Sequence, residues 1–118
     1  MKLMGKAALV TGAGGGLGGA IAKRFAAEGA SVLCTDRDFA KAEFTVTKIT
    51  NDGGTASAFA ANVSEASDCE AQVDETIQRY GHIDIAVNNA GIALHRLALE
   101  TSLEDWQRVL GTNLTGSF

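Results

Sequence analysis

Thr11 to Gly19 read TGAGGGLGG, with six glycines in nine positions, a composition able to cradle a phosphate with backbone alone. Where no Cβ intervenes, the chain can turn sharply and a pyrophosphate can approach main-chain N–H groups. The apolar run Ala7-Ala8-Leu9-Val10 precedes the loop, and Leu17, Ile21 and Phe25 follow it at i, i+4 and i+8. The run predicts a strand covered on both faces, and the spacing predicts a helix whose apolar stripe lies back on the sheet. The glycines then occupy a strand-to-helix junction, where the helix dipole and free N–H groups favour an anion. A flexible glycine linker has a similar composition, but linkers separate domains and this loop begins ten residues into the chain.

The loop fits two registers. Gly14, Gly16 and Gly19 satisfy GxGxxG, whereas Thr11, Gly12, Gly16 and Gly18 satisfy TGxxxGxG. The first glycine should close the strand. Gly12 does so directly after Thr11, so the second register is preferred. The phosphate-binding set is then Gly12, Gly14, Gly15, Gly16, Leu17 and Gly18.

An acid stands where such a loop needs one. Ser31 to Thr35 predict a second strand ending at Asp36, 18 residues after Gly18. A carboxylate there can accept hydrogen bonds from an adenosine ribose diol and repel a 2′-phosphate. This predicts NAD rather than NADP, against Arg37, whose guanidinium can recruit that phosphate. The plainer alternative makes Asp36-Arg37-Asp38 a polar turn with a helix N-cap.

Three asparagine positions complete the candidate set. Asn62 follows a third predicted strand, and Asn88-Asn89-Ala90-Gly91 follows a fourth. Each also suits a turn, because Asn hydrogen-bonds its own backbone readily. Ser102 with Asp105 resembles a capping box that opens a helix with Leu103, Trp106, Leu110 and Leu114 on one stripe. Asn113, seven residues after Trp106, falls on that side. A buried Asn without partners costs a few kcal/mol, so Asn113 is expected to be hydrogen-bonded, the alternative being a boundary residue facing solvent.

The elements that must position these groups alternate regularly. After Asp36 a helix with Ala40, Phe44 and Thr47 on one side runs to the turn Asn51-Asp52-Gly53-Gly54, and Thr55 to Ala61 form the third strand. A helix with Cys69, Val73, Ile77 and Tyr80 inward then ends at Gly81, before a fourth strand from Ile83 to Val87. Four strand–helix alternations imply right-handed crossovers and an α/β, Rossmann-like doubly wound parallel sheet, helices on both faces, in the order 3-2-1-4. Ligands bind such sheets beyond the carboxyl ends of the strands, where the order reverses between strands 1 and 4. No linker or repeat divides the chain, so residues 1–118 form one domain.

Composition narrows the function. A net charge of −4 and scattered Lys and Arg argue against a nucleic-acid partner. No apolar run approaches the roughly 18 residues that span a bilayer, and Met1 to Lys6 are too short and polar for a signal peptide, so a cytoplasmic location is expected. Asn62-Val63-Ser64 and Asn113-Leu114-Thr115 match the glycosylation pattern, which has no use in that compartment. Cys34 and Cys69 read as small buried thiols, and His82 and His95 lack partners at ligand spacing, so no metal site is expected.

TGAGGGLG at 11–18, Asp36, Asn62-Val63 and NNAG at 88–91 together resemble the short-chain dehydrogenase/reductase family over essentially the whole chain. The resemblance implies NAD(P)-dependent hydride transfer between an alcohol and a ketone, with a small-molecule substrate. It implies that Asp36 holds the ribose and that Asn62 and Val63 contact adenine, although many relatives carry Asp in place of Asn62. It further implies that Asn89, Ala90 and Gly91 run along the cofactor ribose and floor the site. In the family, the Asn of a Trp…Asn-Leu-x-Gly pattern distorts its helix and holds a water in a proton relay, which makes Asn113 the catalytic candidate. Relatives continue to a Ser and a Tyr-x-x-x-Lys, whereas the only tyrosine here, Tyr80, is followed four residues later by Asp84. The chain is therefore expected to be the amino-terminal part of a longer short-chain dehydrogenase, a fragment inactive alone. Its fourth strand would be left as an apolar edge prone to association, and a homo-oligomer is expected. Two alternatives stand beside this: a catalytically inactive dinucleotide-binding module, and a methyltransferase, against which Thr11 and NNAG speak. Substrate identity is beyond these residues, since His95 and Arg96 within Ile92–Leu99 suit a solvated loop as well as a pocket wall.

Overall fold

The computed structural model describes all 118 residues. Four parallel strands, β1 (Ala7–Val10), β2 (Ser31–Asp36), β3 (Thr55–Ala60) and β4 (Ile85–Val87), lie in the order β3-β2-β1-β4. Helices α1 (Gly16–Ala27), α2 (Phe39–Asn51) and α3 (Ala66–Tyr80) form the crossovers, and α4 (Leu103–Leu110) follows a short 3-10 turn at Ala98–Glu100. Ala7 pairs with Ser31 and Val10 with Cys34, while Ala8 pairs with Ile85 on the other side. The expected class and strand order are therefore observed.

Burial follows from position in the sheet. All four residues of β1 are buried, as are Val32 to Thr35 of β2, because both faces of the two inner strands are covered. The β4 ladder starts at Ile85 rather than Ile83. There the Asp84 carboxylate accepts from Ala7 N–H at 2.8 Å while Asp84 N–H donates to the Ala7 carbonyl at 2.9 Å, so a side chain occupies the amide that a ladder carbonyl would take. Strand β3 ends at Ala60, one residue before the expected Ala61.

The helical faces differ from the expected stripes. Helix α1 buries Gly18, Gly19, Ala22 and Ala26, with Ile21 and Phe25 half-buried at the rim of the core and Leu17 71% exposed. Spacing of large apolar residues predicted the stripe, but small residues let the helix axis approach β1 and β2 closely, and that close face is the buried one. In α2 the buried positions are Ala42, Thr45 and Ile49 instead of Ala40, Phe44 and Thr47. Phe44 lies outside, with the Lys48 ammonium 4.4 Å from its ring centre. Thr45 is drawn inward because its hydroxyl donates to the Ala13 carbonyl at 2.8 Å, satisfying a buried acceptor in the glycine loop.

Helix α3 buries the polar Gln72 and Thr76, while Val73 and Ile77 are exposed and Cys69 and Tyr80 half-buried. Gln72 Oε1 accepts from the Thr35 hydroxyl at 2.9 Å, a bond that makes the inward turn of an amide favourable. Along α4, Leu103 and Trp106 are exposed, as is Leu114 beyond it, and the helix buries no residue. Its N-terminus is capped as expected, Asp105 N–H donating to Ser102 Oγ at 3.0 Å. No helix is long and apolar enough to cross a membrane.

Candidate functional site

The carboxyl ends of β1 and β4 are joined by Thr11, whose N–H donates to the Val87 carbonyl at 3.1 Å and whose hydroxyl adds three further bonds. Thr11, directly after β1, is 3% exposed. Its Oγ1 accepts from Asn89 N–H and Ala90 N–H, both at 3.0 Å, and donates to the Val87 carbonyl at 3.3 Å. The Asn89 amide returns the connection, donating from Nδ2 to the Thr11 and Gly12 carbonyls at 3.1 and 3.2 Å. Residues 11–12 and 89–90 thus form one rigid floor. Sequence reading treated Thr11 only as the head of the glycine pattern, because a hydroxyl's partners across 78 positions leave no local signal.

Two glycines are required by this closeness. A Cβ on Gly18 would stand 2.3 Å from the Gly12 carbonyl oxygen and 2.4 Å from Asn89 Nδ2, which no side chain tolerates. Gly12 adopts φ +61°, and its Cβ would lie 2.9 Å from Ala90 Cα. Both belong to the TGxxxGxG register. Helix α1 begins with Gly15 at the cap position, no side-chain cap and no acid in its first turn. The amino end of α1, with Gly16, Leu17 and Gly18, is therefore left for an external acceptor.

Asp36 lies beside this loop with both oxygens engaged. Oδ2 accepts from Gly14 N–H at 3.1 Å and Oδ1 from Asp38 N–H at 3.0 Å, so the carboxylate ties the glycine loop to the start of α2. The N-cap itself is Asp38, whose side chain accepts from Ala40 N–H. Asp36 and Arg37 line one cleft with Asn62 and Val63 after β3, and with Gly12, Ala90 and Gly91. The structure therefore brings together every predicted cofactor residue around two adjoining depressions, except Leu17 and Gly18, which stand at the amino end of α1. Asn62 has a local bond as well: its Oδ1 accepts from Ser64 N–H at 3.1 Å and from the Ser64 hydroxyl at 2.7 Å. The turn alternative for Asn62 is thus realised, and its carbonyl is already shared.

Asn113 belongs to a widened helical turn. After α4 the chain passes into a π turn at Gly111–Thr115, closed by Gly116 N–H on the Gly111 carbonyl at 2.9 Å. Asn113 is exposed rather than buried, yet fully occupied: Oδ1 accepts from Ile92 N–H at 2.8 Å and Nδ2 donates to the Ile92 carbonyl at 2.9 Å. One side chain thereby clamps both main-chain groups of the residue after NNAG. Arg96 further on pairs with Asp105 of α4 at 2.7 Å, so α4 and the π turn after it each hold the 92–96 segment at one point. Thr112, buried beside Asn113, lines the cleft and was not foreseen.

Other reactive groups lie away from the site. The Tyr80 hydroxyl sits 3.2 Å from the Val32 carbonyl and 3.0 Å from Ser57 Oγ, and burial pushes its pKa up. Burial also pushes the Cys34 thiol up to about 12. Neither is placed or tuned to exchange a proton at the cleft.

The family model for short chain dehydrogenases matches residues 6–118. D-threitol dehydrogenase of Mycolicibacterium smegmatis is 41% identical over 117 residues, covering 99% of this chain and 45% of that protein. 3beta-hydroxysteroid dehydrogenase 1 of Eggerthella lenta is 44% identical over 98% of this chain and 45% of its own length. The crystal structure of 3-ketoacyl-(acyl-carrier-protein) reductase from Brucella melitensis complexed with NADH superposes with a TM-score of 0.91 at 43% identity, over 98% of this chain and 46% of that one. The chain thus spans a little under half the length of the relatives it matches. With a glycine loop, a strand-end acid and an NNAG segment closed on one another, this chain belongs to the short-chain dehydrogenase family.

Proposed function

We propose that these 118 residues are the NAD-holding, amino-terminal part of an oxidoreductase that moves a hydride between a nicotinamide cofactor and a small alcohol or ketone. The observation that carries this is the double tether of the glycine loop, by Asp36 on one side and by Asn89 on the other. It leaves an uncapped helix end facing outward and no room for a Cβ at Gly18. The residues fit a dinucleotide. Main-chain N–H groups of Gly15 to Gly18 would take the pyrophosphate, and Asp36 the adenosine ribose hydroxyls. Arg37, Asn62 and Val63 would flank the adenine, and Asn89, Ala90 and Gly91 would lie along the second ribose. When bound, the nicotinamide supplies or accepts the hydride.

The chain's own contribution to chemistry is Asn113. Its amide fixes Ile92 and hence the NNAG floor, and the π turn it occupies interrupts the i→i−4 ladder, which exposes main-chain acceptors to a relay water. Asp36 favours NAD because a 2′-phosphate would meet a carboxylate that two N–H groups hold in place.

One observation favours a second reading, a dinucleotide-binding module without catalysis: the sole tyrosine is bonded beneath β2 and β3, far from the glycine loop in the fold. Calorimetric titration with NAD, NADP and S-adenosylmethionine tests the binding reading, and saturable binding of the methyl donor alone would defeat it. Incubating the 118-residue chain with NADH and a panel of ketones tests whether these residues turn over substrate by themselves, which neither reading expects. No oxidation above the buffer rate is expected, because no tyrosine, histidine or cysteine lines the cleft and general acid–base catalysis is worth about 10²–10⁴ in rate.

A further inference from the structure

Asp36 has a cation on each side. Arg37 faces the cleft shared with Asn62 and Val63, whereas Lys41, in the first turn of α2, lines the adjoining depression with Gly14, Gly15, Gly16 and Asn89. The Lys41 stem packs on the glycine loop at the same spot as the carboxylate: a Cβ on Gly14 would lie 2.6 Å from Lys41 Cβ and 2.6 Å from Asp36 Oδ2. Lys41 is exposed and takes no part in the ion pairs of the fold, which join Lys6 and His82 to Asp84, Arg24 to Glu28, Arg79 to Glu75, and Arg96 and Arg108 to Asp105. Its ammonium is therefore uncommitted, on a four-carbon stem that can reach an anion.

Position decides which anion. A pyrophosphate belongs at the amino end of α1, at Gly16 to Gly18, whereas Lys41 meets the loop at Gly14, on the side where Asp36 faces the ribose. Gly14 N–H and Asp38 N–H pin both oxygens of that carboxylate, so it does not swing aside to admit a phosphate. A phosphomonoester on the ribose edge can be accommodated only if a cation offsets the acid. Resting on the dinucleotide reading above, we propose that Lys41 is a specificity-determining residue that binds a 2′-phosphate on the adenosine ribose. It makes the site NAD-preferring but NADP-tolerant.

Calorimetry on the parent chain, Lys41→Gln and Lys41→Arg, each titrated with NAD and with NADP, tests this. Gln matches Lys in helix propensity, so the fold at this exposed position is retained, and an unchanged Tm verifies it. Lys41→Gln is expected to weaken NADP about fivefold while NAD stays within about twofold, and Lys41→Arg is expected to keep NADP near the parent value. Raising salt from about 50 to 300 mM should weaken NADP more than NAD in the parent, and that difference should shrink in Lys41→Gln. Equal weakening of both nucleotides would assign Lys41 to the pyrophosphate and overturn the proposal, as would an unmoved NADP-to-NAD ratio with NAD binding intact. Absence of saturable binding of either nucleotide to the parent would remove the dinucleotide reading itself, and this inference with it.

Discussion

Replacing Thr11 by Val removes one hydroxyl and almost no volume, so the effect isolates the joint between β1 and β4. The oxygen accepts two N–H groups, from Asn89 and Ala90, and donates to Val87. Valine strands Ala90 N–H, whereas Asn89 N–H keeps the Val87 carbonyl at 3.0 Å and that carbonyl also keeps Thr11 N–H at 3.1 Å. A buried polar group stranded in this way costs about 1–3 kcal/mol. Ala90 is only partly buried and the other groups keep a partner, so the expected loss is about 1–2 kcal/mol. For a domain of this size about 4 °C of Tm corresponds to 1 kcal/mol, which gives a fall of about 4–8 °C. The Asn89 Nδ2 bonds run to main-chain carbonyls and survive the change, so the loop loosens without detaching, and NAD affinity falls with it. Thr11→Ser keeps the hydroxyl and is expected to lose less than about 1 kcal/mol. Thermal and urea unfolding with calorimetric NAD titration on the three proteins provide the measurement. A Thr11→Val protein within about 2 °C of the parent, with unchanged NAD affinity, would refute the assignment of the joint to this hydroxyl.

Asp36→Ala strands Gly14 N–H and Asp38 N–H and removes the ribose acceptor; NAD affinity is expected to fall about tenfold or more while NADP changes little, and paired dissociation constants check it. In the longer oxidoreductase proposed above, Asn113→Ala is expected to lower kcat at least about tenfold with NAD affinity within about twofold. Asn113→Asp, which keeps an acceptor for Ile92 N–H but has no donor for its carbonyl, should lose activity as well, and an unchanged kcat in both would return Asn113 to a purely structural role. A thiol-reagent time course at pH 8 should modify Cys69 first and Cys34 only on unfolding, since Cys34 is wholly buried. Because folding raises the Cys34 pKa from 9.0 to about 12, its contribution to stability is full below pH 9 and lost as pH rises toward 12. Urea midpoints measured across that range should fall, and Cys34→Ala should flatten the decline.

The fold class and strand order were legible because apolar runs, glycines and polar helices alternate four times, a signal spread over the whole chain. The faces of the helices were not. Periodicity weights large apolar residues, and here the close contacts are made by Gly18, Gly19 and Ala22 in α1 and by the hydrogen-bonded Thr45, Gln72 and Thr76 in α2 and α3. A buried Gln cannot be foreseen from its own helix, since its partner Thr35 is 37 residues away on β2. Leu17, Trp106 and Leu114 were placed inward by the same weighting and are exposed.

For the site, type and position were visible but attachment was not. Asp36 could be picked out because strand-end acids at that spacing suit a ribose, yet the same carboxylate also holds Gly14, a role that only the folded loop displays. The two duties constrain each other. A carboxylate committed to two N–H groups is less mobile than a free one, so it presents a fixed acceptor edge to a ribose diol. Asn89 repeats this economy on the other flank, where one amide bonds to two carbonyls of the loop while the adjoining Ala90 and Gly91 line the cleft. Asn113 does so again, holding both main-chain groups of Ile92 from a turn already widened. In each case a side chain singled out from sequence, Asp36 and Asn89 for the cofactor and Asn113 for a relay water, is first a brace for the backbone around it. Substitution at Asp36 or Asn89 is therefore expected to change loop geometry and ligand affinity together, whereas Asn113 braces Ile92 beyond the NNAG segment and its loss falls on kcat.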